Sequence, residues 1–382
     1  MKKSYLMMAA AATMFAACTQ ADFVNDIPAS APKAIDFKSP FIGKSTRAEN
    51  SSSNYTLGFS SHHRNFKVWG YKNVSKDPVF DGKVVNVTLG GGAGSEIYQY
   101  DGLVYWDESA TNYHFYAAAP AGHNWVFNAP TSKDEQDKGS FDTEVSLQTV
   151  SVHNDKGSHL TALGDAEDLL IAAPCQPTIG ETVGLEFVHI LSRLNIIISK
   201  KSGMKEEVRS YEVSVKNIQK EGRFNEAAAA ANPAGSYARW TTTGADGIYQ
   251  AKNDDGALVQ EGVERHVIQT LVIPQAVSSE GIALNGSDIT INSEPYLYVR
   301  YGVANGKDDG GNTTFEIFEK YYNLAQIFGV TVGSTLSFNE GWENTLTLTI
   351  GPATIDFKAS VATWATYTKK ENSLGGNNQT QN

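Results

Sequence analysis

Apolar residues alternate with polar ones in short runs along most of the chain. Tyr55, Leu57 and Phe59 alternate, Phe66 and Val68 fall on one face of a second run, and Trp69 and Tyr71 fall on the other. A period of two over a few residues predicts half-buried β-strands. Further strands are predicted over residues 84–89, 113–117 and 168–172, and at the alternating sets Val183, Leu185, Phe187 and Leu194, Ile196, Ile198. Residues 98–100 and 104–106 flank Asp101-Gly102, which predicts a hairpin. Residues 131–160 are mostly polar and predict a long loop or a poor strand. In the second half, strands are predicted over 211–215, 267–273, 289–291, 296–301, 315–318, 336–338, 346–350 and 355–357, with one helical turn over 322–328. The last two strands pair over Gly351-Pro352. The alanine run 227–231 predicts only a short helix or a loop. Many short strands, frequent turns and almost no helical period predict an all-β chain built of β-sandwiches. Its length of 382 residues suits two domains. The polar stretch Lys200-Lys201-Ser202-Gly203 predicts their boundary, giving an N-terminal domain over 48–202 and a C-terminal domain over 203–382 with a polar tail.

The first segment has a different pattern. Lys2 and Lys3 precede an apolar run of about a dozen residues, the arrangement of a secretory signal over residues 1–17. The run is too short for a spanning helix, which needs about 20 residues. It ends in Phe15-Ala16-Ala17-Cys18, which resembles the lipobox of bacterial lipoproteins. Cys18 is therefore expected to be lipidated and to become the new N-terminus, tethering an exported chain to a membrane. Residues 18–47 form a linker-like leader with one apolar island, Ala34-Ile35-Asp36-Phe37, followed by Phe41-Ile42. Its alternation predicts a strand. The leader then becomes small and polar around Arg47, the sort of segment a protease reaches.

Composition narrows the chemistry. Lys and Arg number 31 against 42 Asp and Glu, a formal charge of −11. An acidic chain without a basic block is a poor partner for nucleic acid, where affinity rests on phosphate neutralisation. Two cysteines, Cys18 and Cys175, rule out a disulfide scaffold and a cysteine-built zinc or iron–sulfur site. Cys175 is expected to be a small buried residue. The glycine run 90–94 precedes a strand pattern and no Lys-Ser/Thr, so a loop is favoured over a phosphate cradle. His62 and His63 are adjacent and point apart on a strand, which argues against a metal pair. Asp165, Glu167 and Asp168 lack a partner motif and are expected to be a solvated cluster, and His189 a hydrogen-bonded core histidine. No catalytic, cofactor-binding or metal-ligating set emerges, and no enzyme activity is expected. Of the six tryptophans, Trp125 and Trp240 lie nearest loops and are the candidates for stacking on a sugar.

Several pieces, each short, fall in the order and spacing of one family. They are the lipobox-type Cys18, the strand-bearing leader, Arg47 before the first domain, Tyr105-Trp106, and residues 113–117 (Tyr-His-Phe-Tyr-Ala). Residues 168–171, 185–194 and 272–275 follow, then Trp342, residues 344–350, Ile355-Asp356-Phe357, Val361 and Trp364. Together they resemble the fimbrillins, the subunits of type V pili. The resemblance implies two transthyretin-like β-sandwich domains in tandem and a lipoprotein that reaches the outer membrane. It implies an arginine-specific protease cutting between Arg47 and Ala48, and a groove vacated by the leader strand of Ala34, Ile35, Phe37, Phe41 and Ile42. It further implies other fimbrial subunits as partners, with Ile355, Phe357, Val361 and Trp364 as the candidate C-terminal donor strand, and a host or bacterial surface ligand. The expected place is the outer membrane and then a cell-surface fimbrium, where the chain would serve adhesion. The tail over 365–382 departs from the family by its scarcity of apolar residues, so a tip or accessory subunit that accepts a strand without donating one is also expected. The alternatives are a surface lipoprotein that binds glycan without polymerising, its leader a plain tether, and more remotely a secreted hydrolase.

Overall fold

The computed structural model describes residues 32–38, 41–42, 65–73, 78–88, 97–130, 139–148, 150–153, 162–163, 168–231, 237–244, 246–280, 282–285, 288–291, 294–352 and 354–363. Among the described residues strand predominates and helix is confined to short turns. A seven-stranded sheet runs β1 (Phe41–Ile42), β11 (Glu186–His189), β10 (Leu170–Cys175), β5 (Tyr113–Ala119), β2 (Asn65–Lys72), β3 (Pro78–Thr88) and β4 (Ile97–Gln99). Its two faces follow from the alternation. Phe66, Val68, Phe115, Ala117, Leu170 and Phe187 lie in one apolar cluster. Trp69, Tyr71, Tyr116, Ala118 and Ile171 lie in another. The second cluster is closed by a four-stranded sheet of β15 (Trp240–Thr242), β14 (Glu221–Asn225), β7 (Ser140–Ser146) and β6 (Val126–Asn128), through Phe141, Val145 and Phe224. The first cluster has no covering sheet among the described residues. It is closed by the leader and by the turns bearing Trp106, Val183 and Leu185.

Two five-stranded sheets enclose the largest core. One runs β25 (Ile355–Thr363), β24 (Trp342–Ile350), β12 (Ser192–Lys200), β17 (Arg265–Val272) and β9 (Ala162–Leu163). The other runs β22 (Thr313–Asn323), β21 (Tyr296–Lys307), β13 (Val208–Gln219), β16 (Asp246–Val259) and β8 (Val150–His153). Leu194, Ile196 and Ile198 of β12 meet Val213 and Val215 of β13, Leu297 and Val299 of β21, and Leu346 and Leu348 of β24. Two antiparallel pairs complete the described strands, the hairpin of β19 (Ile282–Asn285) with β20 (Asp288–Ile291) and the long-range pair of β18 (Gln275–Ser278) with β23 (Thr335–Phe338). One helical turn, α1 (Leu324–Ile327), is capped by the Asn323 side chain accepting from Gln326 N, as the polar residue before an apolar turn allows. The alanine run lies in a 3₁₀ turn over Glu226–Ala231.

Three expectations change. The division at 202/203 falls inside paired structure: β12, which precedes it, is the central strand of a sheet with β24 and β17, and β7 pairs with β14 across it. Residues 131–160 hold two strands, β7 and β8, where a loop or poor strand was expected. Polar Asp142 is buried in β7 because Arg223, on the neighbouring β14, grips both its oxygens. Finally, Val104 and Trp106 do not form a hairpin with residues 98–100. Their backbones pair instead with the leader, as described next.

Candidate functional site

The leader over residues 32–38 is an extended segment with a period of two. Ile35 is 0% exposed and Phe37 6%, while Asp36 and Lys38 face solvent. Its backbone is held from two sides. Ile35 N donates to Val104 O at 2.8 Å and Trp106 N to Lys33 O at 2.9 Å. On the other side Val183 N donates to Asp36 O at 2.8 Å and Lys38 N to Val183 O at 3.0 Å. Tyr100 Oη adds a bond to Ile35 O at 2.7 Å. Farther along, β1 lies parallel to β11, Phe41 opposite Glu186 and Ile42 opposite Phe187. The leader thus lies as a strand between residues 104–106 and residue 183, two segments that do not pair with each other among the described residues.

Its side chains fill the apolar cluster beneath. The Phe37 ring meets Phe66, Phe80, Tyr100 and Phe115 with centroids 5.8–6.2 Å apart, all steeply inclined. That edge-to-face geometry suits ring quadrupoles. Gly184 leaves room for the Lys38 stem to cross, since a Cβ there would stand 2.5 Å from Lys38 Cε. The walls are fixed independently of the leader. Asp107, next to Trp106, accepts from Lys72 Nζ at 2.6 Å and from Ser109, and these bonds hold its carboxyl down to about 2. Burial raises the Tyr100 hydroxyl, which keeps it a donor. Cys175 Sγ donates to Gly184 O at 3.0 Å, and burial pushes its thiol up, so it serves as wall and not as a nucleophile.

Removing the leader would strip partners from Val104 O, Trp106 N and both backbone groups of Val183, and open an apolar trench floored by four rings. Unpaired backbone beside an apolar groove is what a strand of another chain completes.

The C-terminal strand β25 is an edge strand among the described residues, paired there with β24 over nine residues, from Trp342↔Thr363 to Ile350↔Ile355. Ile355 is buried, Phe357 is half-buried against Tyr322 with centroids 4.6 Å apart, and Val361 is exposed. Asp356 pairs with Lys201 at the surface. Cys18, Arg47, Ala48 and Trp364 lie outside the described residues.

The sugar-stacking candidates are corrected. Trp125 and Trp240 are each only 7% exposed, and their indole N–H groups donate to Pro120 O and Ile190 O, both at 2.9 Å. Neither ring offers a face to a ligand. His189 is a core histidine bonded to Asp168, as expected. Among the described residues no group of His, Cys, Asp and Glu could hold a metal ion, and no helix is long and apolar enough to cross a membrane. A cluster the sequence did not signal joins the two packings: buried Arg239 binds Glu340 through both nitrogens of its fork and lies near Glu226.

Comparison with known proteins gives a family. The model of the fimbrillin-like family matches residues 46–364. No curated protein sequence matches the chain. Among solved structures, a fimbrial protein from Bacteroides vulgatus shares 13% identity, with 87% of this chain and 99% of that one covered and a TM-score of 0.51. The tip fimbrial protein Mfa3 from Porphyromonas gingivalis, with a C-terminal truncation, shares 10% identity over 79% of this chain and 95% of that one, with a TM-score of 0.36.

Proposed function

The chain belongs to the fimbrillin-like family, and from that premise we propose that it is a structural subunit of a cell-surface fimbrium, assembled by strand exchange and contributing to adhesion. It is not an enzyme. The observation that carries the reading is the seating of residues 32–38: an N-terminal segment lies as a strand in the core of the first packing, its Phe37 ringed by four aromatics. A tether has no reason to bury an isoleucine and a phenylalanine. A plug that keeps a groove closed until it is cut does.

In this reading Cys18 carries the lipid that brings the chain to the outer membrane. An arginine-specific protease then cuts after Arg47, freeing the leader from the body that begins at Ala48. The vacated groove takes a strand from a neighbouring subunit. The glycan-binding alternative loses its support with the burial of Trp125 and Trp240.

The test is limited digestion of the full chain by an arginine-specific protease, followed by intact mass and size-exclusion chromatography. One cut after Arg47, an intact body and a new capacity to bind a strand are expected. Arg47→Ala is expected to abolish both the cut and that capacity. If the wild-type leader comes away while thermal stability and association stay as they were, the leader is a tether and strand exchange is wrong.

A further inference from the structure

The sheet of β22, β21, β13, β16 and β8 turns one face to the largest core, and the side chains on its other face belong to none of the three cores. A sheet with one solvated face ordinarily makes that face polar. Here Ile248, Leu258 and Ile317 stand exposed on it, with Tyr211, Tyr296 and Tyr321 half-buried beside them. Apolar and aromatic residues gathered on an open face mark an interaction surface.

The strand register shows what that surface fits. Read across from β22 to β16, one row is Glu319, Arg300, Glu212 and Lys252, and its charges alternate. Four alternating charges have a property that three, or a block of one sign, lack: turned end for end, the row presents the opposite sign at every place. A two-fold axis parallel to the strands, between β21 and β13, turns it in that way. Arg300 then faces Glu212 of the second copy, and Glu319 faces Lys252. The same rotation sets Ile317 against Leu258, which stand at opposite ends of the row through Gly302 and Arg209. It also sets the Tyr296 ring against the Lys216 ammonium. Within one chain that ammonium already lies over a ring, that of Tyr298, at 5.0 Å.

The groups at the axis stand ready for such a contact. Glu212 is held in place by Ser214 Oγ at 2.6 Å and by Gln250 Nε2, so its carboxylate is fixed before a partner arrives. Arg300 makes only a loose pair with Glu319, at 3.5 Å, and its side chain is partly exposed. Aligned sheets cross at about 30° because each is twisted, so the match is closest at the axis, where Arg300 and Glu212 stand. The face spans about 14 Å over four strands and about 27 Å along β21 from Tyr296 to Ala304. That is the low end of specific interfaces and suits a weak contact.

We propose that this face docks on the same face of a second copy of this chain, across a two-fold axis parallel to the strands. The contact is isologous and closed, so by itself it gives pairs and no filament. It stands apart from strand exchange. Only its consequence in a fimbrium rests on that reading: subunits joined end to end repeat the face, and many weak contacts then add up to side-by-side pairing.

The experiment uses the full chain, uncut, so that strand exchange plays no part. Sedimentation velocity is run over about 1–300 μM, the range of a weak complex. The wild type is expected to pass from monomer to dimer, less readily as salt rises and screens the facing charges. Glu319→Lys and Lys252→Glu change side chains exposed enough for the fold to tolerate them. Each sets like charges in opposition across the axis, and each alone is expected to dimerise at least about 10-fold more weakly than wild type. An equimolar mixture of the two is expected to regain wild-type affinity as a heterodimer, because the lysines of one chain then face the glutamates of the other. A wild type that stays monomeric throughout overturns the proposal. So does a mixture that associates no better than its components, since a dimer would then form through another face. Neither result bears on strand exchange, which the protease digestion decides.

Discussion

Replacing Phe37 by alanine is expected to destabilise the protein by about 3–5 kcal/mol, the usual cost of truncating a buried aromatic. The residue lies in a leader that on composition alone resembles a linker, which makes the effect diagnostic. Phe37 is 6% exposed and touches Phe66, Phe80, Tyr100 and Phe115 edge-on. Each such ring pair adds roughly 0.5–1.5 kcal/mol beyond area burial. The cavity left by alanine cannot collapse easily, because its floor is formed by strands of the seven-stranded sheet. Urea unfolding followed by tryptophan fluorescence measures the loss; Trp106 lies 6.0 Å from Phe115 and reports on the same cluster. Asp36→Ala, on the solvent side of the same segment, is the control and is expected to stay within about 0.5 kcal/mol of wild type. Equal, small effects for both substitutions would mean that the leader contributes nothing to the body and that its removal opens no groove. A large loss for Phe37→Ala beside a small one for Asp36→Ala would show that the ring is the latch.

The alternation of apolar and polar residues carried the fold class, because it reports directly on which side of a sheet each residue faces. The split of Phe66 and Val68 from Trp69 and Tyr71 is seen in two separate cores. The leader island was legible for the same reason. What was not legible was partnership. Val104 and Trp106 pair with residues some seventy positions earlier instead of with their neighbours across Asp101-Gly102, and nothing local distinguishes the two outcomes. β7 was hidden because Asp142 and Thr143, polar in sequence, are made buriable by Arg223 from the neighbouring strand and by His123 from the turn before β6. Trp125 and Trp240 sit near chain turns and yet inside the core, since a turn can fold back over a sheet.

Arg239→Met is expected to cost about 3–5 kcal/mol near pH 8, the penalty for leaving a buried charge without its partner, and clearly less near pH 5. Arg239 lies in a 3₁₀ turn just before β15, and Glu340 lies in the loop between β23 and β24. Their pair thus fastens the four-stranded sheet to the second packing, beside the bonds from Trp240 Nε1 to Ile190 O and from Gly341 N to Leu191 O. Glu226 faces the same guanidinium at 3.9 Å and accepts from Phe141 N, while the Phe224 ring lies under the Arg239 fork. Two carboxyls share one cation. Burial raises both, and it pushes Glu340 up to about 7 from an ordinary 4.5 even though Arg239 pulls the other way. A carboxyl whose folded value lies above its unfolded one holds its proton more tightly when folded, so stability rises as pH falls from about 7 towards 4.5 and levels below that. Removing Arg239 removes the pull that favours the ionised form. The upper edge of the window moves to higher pH, and the variant gains more on acidification than the wild type does. The gap between them must therefore be widest above pH 7 and narrow towards pH 5. Denaturant unfolding of both proteins at pH 5 and pH 8 measures it. A gap that is constant with pH would mean that the methionine costs packing only and that Glu340 is not held against its charge. A gap that widens on acidification would reverse the sign and exclude this cluster as the junction's pH-sensitive element.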